Sequence, residues 1–303
     1  MTTKIKFGIL FSLSLGLFSC SSGGGDEFDK KPETGDADSS KKIEVLISEQ
    51  TLNDLLQSIP SPVEMSSLLK ESGAQFDNTI TNPAANADKY NSSYTRALNI
   101  GIYSADLGYL NMYGKSFATL NYLGAIKNLA TGINIGQFFD FEMLKKLATN
   151  SKNMDSIMYI STSSFNKMDA YLRAKKRAEL SVLIITGAWV EGEYISNQIA
   201  KAGVSPKIEE RIGEQKITLD NLMVILDAYK KYEFFGKIYT KFQKLKGLYD
   251  GVKIEYEYHE PETKEVNGQL VIVNESKSKI VMTKEQLKAI TETTAELRSS
   301  LTN

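Results

Sequence analysis

The chain has 303 residues, of which 42 % are hydrophobic, enough to bury a sizeable core in one large domain or two modest ones. Its 36 basic and 37 acidic side chains nearly cancel, so it lacks the basic excess of a general nucleic-acid binder. One histidine and one cysteine exclude multi-histidine metal sites and any disulfide framework within the chain, and no metal or cofactor is expected.

The chain opens with Lys4 and Lys6, followed by an uncharged apolar run of twelve residues, 7–18. This is the shape of a secretory signal, and it is too short for a membrane-spanning helix. It ends Leu17-Phe18-Ser19-Cys20. These residues resemble the lipobox of bacterial lipoproteins, roughly Leu-small-small-Cys; Leu17, Ser19 and Cys20 match, while Phe18 is bulkier than the usual occupant. The resemblance implies that residues 1–19 are a cleaved signal peptide and that Cys20 carries a diacylglyceryl thioether and usually an amide-linked acyl chain. One acyl chain binds a membrane marginally, whereas two or three anchor stably, at about 0.8 kcal/mol per buried methylene. The other reading is an ordinary secreted protein with Cys20 at its cleavage site by chance.

Ser21 in place of an aspartate implies, by the same resemblance, sorting to the outer membrane. The run Ser-Ser-Gly-Gly-Gly-Asp-Glu, 21–27, resembles acidic surface-export signals of Bacteroidota lipoproteins, and either face of that membrane stays open. Without residues 1–19, which take Lys4 and Lys6 with them, 34 basic side chains face 37 acidic ones. The fold must then hold without disulfides in an oxidising compartment.

Residues 20–42 read as the lipidated cysteine and a disordered Gly-, Ser- and charge-rich spacer, reaching about 25 Å as a flexible coil. A mainly helical domain, 43–303, follows. A strand-like piece at 43–47 precedes short helices at 49–58 and 63–72, the second started by Pro60 and Pro62 and ended by Gly73. After Asn82-Pro83 the pattern predicts a helix apolar on almost every side, with Asp106 the lone carboxylate between Arg96 and Lys115. Gly101, Gly108 and Gly114 would let neighbouring helices come close. Further helices are predicted at 116–131, 137–149, 153–171 and 174–201, with 180–190 again in the core. Thr218 is expected to cap one helix over 219–246, rich in tyrosine and phenylalanine. Val252, Ile254, Tyr256 and Tyr258 alternate with charged residues as a half-buried strand, Asn267-Gly268 marks a hairpin turn, and Gln269–Val273 returns. Thr283 and Gln286 form a capping box for the last helix. The fold class is therefore mainly α, a multi-helix bundle or helical array with a small C-terminal β-hairpin and a final helix. The segments 59–64 and 98–109 resemble stretches of helical Bacteroidota lipoproteins, a resemblance that supplies no activity.

The two core helices carry an echo: Asp106 with Tyr109, and Glu191 with Tyr194, each an acid and a tyrosine three positions apart and so on one helical face. Two halves offset by 85 residues could pack about a pseudo-twofold axis and bring the acids together. A lone carboxylate on an apolar helix is costly unless bonded or paired. Asp106, Tyr109, Glu191 and Tyr194 are thus candidate ligand-binding residues, or Asp106 anchors a structural network. If the acids converge, one carboxyl pKa rises and acid–base chemistry becomes available. His259 reads as an exposed loop residue, and Arg173, Lys175, Lys176 and Arg177 as a solvated basic face. The expectation is a non-enzymatic, outer-membrane-anchored module that binds an envelope partner, protein or glycan, or a small ligand, and no nucleic acid. The alternative is a glycan hydrolase or lyase using Asp106 with Glu191 or Glu193.

Overall fold

The computed structural model describes Ser48, Gln50, Asp54 and residues 73–303, apart from 149–153, 202, 204, 260–261, 267–268 and 274–276. The leader, Cys20, the spacer and the elements expected at 43–47 and 63–72 lie outside the described residues. Of the helix expected at 49–58, Gln50 and Asp54 are helical, and Gln50 Nε2 donates to Asp54 Oδ1 at 2.8 Å.

From residue 73 the chain is mainly helical. A 3-10 turn at Ala84–Lys89 leads into α1 (Ser93–Met112), whose start is fixed by a capping box between Ser92 and Thr95. There follow α2 (Ser116–Gly132), a 3-10 turn at Gly136–Phe138, α3 (Phe141–Ala148), α4 (Met154–Ala174) and α5 (Ala178–Lys201). The expected 137–149 helix is broken, because Asp140 Oδ1 accepts from Met143 N (2.9 Å) and caps a fresh start. The helix expected from 174 begins only at Ala178, because Lys176 adopts φ +58° and ends the preceding one.

α1 and α5 form the centre and make the most extensive contact in the fold. Ala97–Tyr103 and Glu179–Ile184 are buried on every side, as their continuous apolar runs require. Their axes approach closely at two glycines. A Cβ on Gly101 would lie 1.9 Å from the Ile184 carbonyl oxygen, and one on Gly187 would lie 1.9 Å from that of Leu98. Gly101 also meets Ala188 N, and Gly187 meets Ile102 N, so each glycine faces equivalent backbone of the other helix. The contacts at the two glycines are locally twofold with an offset of 86 residues, one more than the 85 of the acid–tyrosine pattern, and the helices run in the same sense. Gly114 serves a different end: with φ +65° it closes the turn after α1.

The single helix expected over 219–246 is instead two, α6 (Pro206–Tyr229) and α7 (Glu233–Asp250), and Thr218 lies buried inside α6 rather than capping it. α6 begins where Ser205-Pro206 places a proline in the first turn, after Gly203 (φ +68°) has ended α5. The turn at Lys230–Tyr232 reverses the chain so that Tyr229 stacks on Phe235, ring centroids 4.9 Å apart. A continuous helix would have carried these two fully buried rings away from each other.

The C-terminal hairpin is longer than expected. β1 (Lys253–Glu257) pairs antiparallel with β4 (Lys277–Val281), and β2 (Glu262–Val266) pairs antiparallel with β3 (Gln269–Val273). Val266 faces Gln269, so the link is the two-residue Asn267-Gly268, itself outside the described residues. The expected half-buried alternation fails along β1: Val252 is buried and Ile254 partly so, but Tyr256 and Tyr258 are 66 % and 67 % exposed. The ladder leaves the helical body after its first residues, so nothing covers these rings.

The last helix, α8 (Lys284–Thr302), starts at the predicted capping box, with Thr283 accepting from Gln286 N and Gln286 answering to Thr283 N. It lies against α5 and α7. Thr283→Ala is expected to lower stability by about 1 kcal/mol, read as a shift of the urea midpoint at unchanged slope.

Candidate functional site

Asp106 and the four residues gathered about it, Asn82, Glu191, Tyr194 and Arg298, come from four segments, which is why a local motif search cannot find the cluster. Asp106 on α1 and Glu191 on α5 both have no exposed surface. The parallel crossing at the glycines sets them side by side one to two turns further on. Arg298, near the end of α8, closes on Glu191 as a fork, with Nε to Oε2 at 2.9 Å and Nη2 to Oε1 at 2.8 Å. The Arg298 side chain is 14 % exposed, and its guanidinium sits 4.8 Å from the centre of the Tyr194 ring. Ahead of α1, the backbone N–H of Asn82 donates to Asp106 Oδ2 at 3.1 Å.

The remaining Asp106 oxygen, Oδ1, has no donor facing it, and the Glu191 carboxylate lies within hydrogen-bond reach. Two acceptors in contact are satisfied only when a proton sits between them. Burial, and then the Glu191 charge, hold the Asp106 carboxyl well above its usual range, although Arg298 pulls the other way. A proton held on Asp106 satisfies both acids, with Arg298 bonded to the Glu191 carboxylate. The unit is a carboxyl, a carboxylate and a guanidinium with a net charge of zero, which makes it tolerable in a core.

Tyrosines enclose this unit. Tyr103 donates to the Pro83 carbonyl (3.0 Å), Tyr122 to Thr81 Oγ1 (2.9 Å) and Tyr90 to the Thr302 carbonyl (3.0 Å). Burial raises the Tyr122 hydroxyl to about 12. These bonds tie the segment before α1 and the end of α8 to the central pair.

The predicted pairing of Asp106 and Glu191 is thus present, and Glu193 is not part of it. Glu193 lies two residues on and faces a different neighbourhood: Tyr249 Oη donates to its Oε1 at 2.5 Å and Asn197 Nδ2 at 2.8 Å. Tyr109 does not serve Asp106 either; its hydroxyl accepts from Asp77 N (2.9 Å) and donates to Asp77 O (3.3 Å), pinning the segment that leads to α1. Tyr194 joins the cluster only through Arg298. Of the four candidate ligand-binding residues, only Tyr194 shows appreciable surface.

Sealing decides the chemistry open to the pair. A glycosidase needs substrate or water between carboxyl groups about 5–10 Å apart. Here the two acids lie within hydrogen-bond reach of each other and both have zero exposure, which leaves no room for substrate between them.

Arg298 is the residue of this network that sequence reasoning missed. Its only sequence signal is a basic side chain between Leu297 and Leu301, beside the apolar stripe of Leu287, Ile290 and Leu297 on that helix. The basic cluster at the α4–α5 junction divides: Arg173 is paired with Asp169 (2.7 Å) and Arg177 donates to the Ile133 carbonyl (3.1 Å), while Lys175 and Lys176 are exposed. His259 is 47 % exposed beside Glu257 at 3.3 Å, as a loop residue would be. Among the described residues no cluster of histidine, cysteine and carboxylate side chains could hold a metal ion. An open groove between α6 and α7, about 500 Å³ and lined by Asp220, Met223, Val224, Asp227, Tyr239 and Lys246, lies on another face. Its charges are internally paired, Asp220 with Lys246 and Asp227 with Lys230. Comparison with protein-family models, with curated proteins and with solved structures finds no match.

Proposed function

We propose that the protein is a lipid-anchored envelope protein of the outer membrane whose helical body is a non-enzymatic module binding an envelope protein or glycan. The observation that carries this reading is the leader: an apolar run of twelve residues behind two lysines, ending Leu17-Phe18-Ser19-Cys20. A lipid on Cys20 would tether the body from one end, and residues 21–42 would act as the leash. The sealed Asp106–Glu191–Arg298 unit supports a binding rather than a catalytic role, since its acids are committed to holding helices together. Among the described residues no helix is long and apolar enough to cross a membrane, so attachment by Cys20 is the economical way to hold the body there.

Cys20→Ala is the direct test. The wild-type chain is expected to incorporate labelled fatty acid and to sediment with membranes. The variant is expected to lose the label and appear in the soluble fraction. A variant that stays with the membrane would overturn the anchor. Crosslinking in intact cells, followed by identification of what is caught, addresses the partner and separates protein from glycan.

A further inference from the structure

Glu193 stands on the face of α5 turned towards α7 and α8 and is 2 % exposed. Its Oε1 accepts two hydrogen bonds, from Tyr249 of α7 (2.5 Å) and from Asn197 of its own helix (2.8 Å). Asn197 in turn accepts from Thr291 of α8 at 2.8 Å, so one carboxyl oxygen gathers three helices. The other oxygen, Oε2, is buried with no partner. Arg211 of α6 attracts the carboxylate from a distance, but it is itself paired with Glu214 at 2.9 Å. Neither Glu191 nor Arg298 joins this cluster.

What lies next to the cluster gives it a consequence. Tyr249 is in the last turn of α7, and β1 begins at Lys253. The stem between them is held by Lys216 Nζ on the Asp250 and Val252 carbonyls (3.2 and 2.6 Å) and by Gln286 Nε2 on the Gly251 carbonyl (2.9 Å). Beyond this stem the hairpin carries the exposed rings of Tyr256 and Tyr258. The Tyr249–Glu193 bond ties the helical side of this stem to α5 in the core.

We propose that Glu193 and Tyr249 form a proton-operated latch on the root of the hairpin, closed while Glu193 is protonated and released when it ionises. The neutral acid can remain buried with Oε2 unpaired at the modest cost of one polar group. The anion cannot, because a desolvated charge with one bare oxygen must find donors. Water is the nearest source, and it enters by lifting the last turn of α7, the element that meets Glu193 through Tyr249. Burial raises the Glu193 carboxyl to about 7, against the smaller opposing pulls of Tyr249, Asn197 and Arg211, so the change falls within the neutral range.

The chain supplies its own reporter. Its single tryptophan, Trp189, lies one turn before Glu193 on α5, bonded to Gln215 Oε1 at 3.0 Å and packed on Phe242. Trp189 emission and hydrogen exchange over residues 245–257 would be followed from pH 5.5 to 8.5, with exchange rates corrected for their intrinsic pH dependence. The expected result is an emission transition near pH 7 and, with the same midpoint, at least tenfold faster exchange at the stem. Glu193→Gln is expected to abolish both. Tyr249→Phe, which removes a donor to the carboxylate, should move the midpoint upward and so provides a second test if Glu193→Gln does not fold. His259→Asn serves as a control that should leave the transition in place, since His259 is the chain's single histidine and bonds neither Glu193 nor Tyr249. Three outcomes would overturn the latch: no transition in the wild type, a transition that survives Glu193→Gln or is unmoved in Tyr249→Phe, or an emission change with unaltered stem exchange.

Discussion

Gly187→Ala is expected to destabilise the domain by about 3 kcal/mol or more, the upper end of what overpacking a tight interior costs. The sign makes this prediction discriminating. In a helix that did not touch its neighbour, the same change would stabilise by up to about 1 kcal/mol, because alanine is the better helix former. Here the added methyl would sit 1.9 Å from the Leu98 carbonyl oxygen, 2.9 Å from its carbon and 3.3 Å from Ile102 N. All three are backbone atoms, which cannot swing aside as a side chain would. Relief requires α1 and α5 to separate by more than an ångström, at the contact that organises the fold. Gly101→Ala should behave alike, since its methyl would meet the Ile184 carbonyl at 1.9 Å and Ala188 N at 2.6 Å. Gly192→Ala, on the same helix with nothing within 4 Å of the new methyl, is the matched control and should be neutral or mildly stabilising. At roughly 2–4 °C per kcal/mol for a domain of this size, the thermal midpoints of Gly187→Ala and Gly192→Ala should differ by about 10 °C. Equal midpoints would mean that the helices do not meet at these glycines.

Arg298→Met is expected to cost about 3–5 kcal/mol, the penalty for removing one partner of a buried ion pair. The substitution leaves Glu191 charged, fully buried and in contact with Asp106, whose proton then has to serve alone. A surface arginine would cost less than about 1 kcal/mol, so urea unfolding at pH 7 separates the two cases. Combining Arg298→Met with Glu191→Met removes both charges and should recover much of the loss, as apolar replacement of buried pairs often does. Asp106→Asn is the complementary variant. Its amide donates where the acid's proton donated, so its cost should stay near 1 kcal/mol.

The pH dependence of this unit follows from the raised Asp106 carboxyl. A group whose pKa is higher folded than unfolded contributes stability that is fully present below the unfolded value, near 4, and is lost as pH rises through the folded value. Asp106 therefore favours the folded state in acid, opposite to a salt-bridged aspartate. Glu193, raised to about 7, acts in the same direction between its ordinary value of 4.5 and 7. The exposed, paired carboxylates Asp227 and Glu233, lowered by their lysines, work the other way.

The amino-acid sequence by itself determined the helical class, the two helices buried on all sides and the capped start of α8, because each depends on neighbours within a few residues. It also marked Asp106 and Glu191 as acids in need of partners, since a carboxylate amid apolar residues is costly in any fold. It missed the break between α6 and α7, where Lys230 and Lys231 carry no breaker signal and the reversal is stabilised by stacking Tyr229 on Phe235. Only the tertiary structure decided that Arg298, 107 residues from Glu191 along the chain, supplies the counter-charge, and that Glu193 turns away from Asp106 to meet Tyr249. Periodicity says which face of a helix is apolar but not which helix will lie against it. Here that was settled by two glycines, whose missing side chains allowed one pair of backbones to touch.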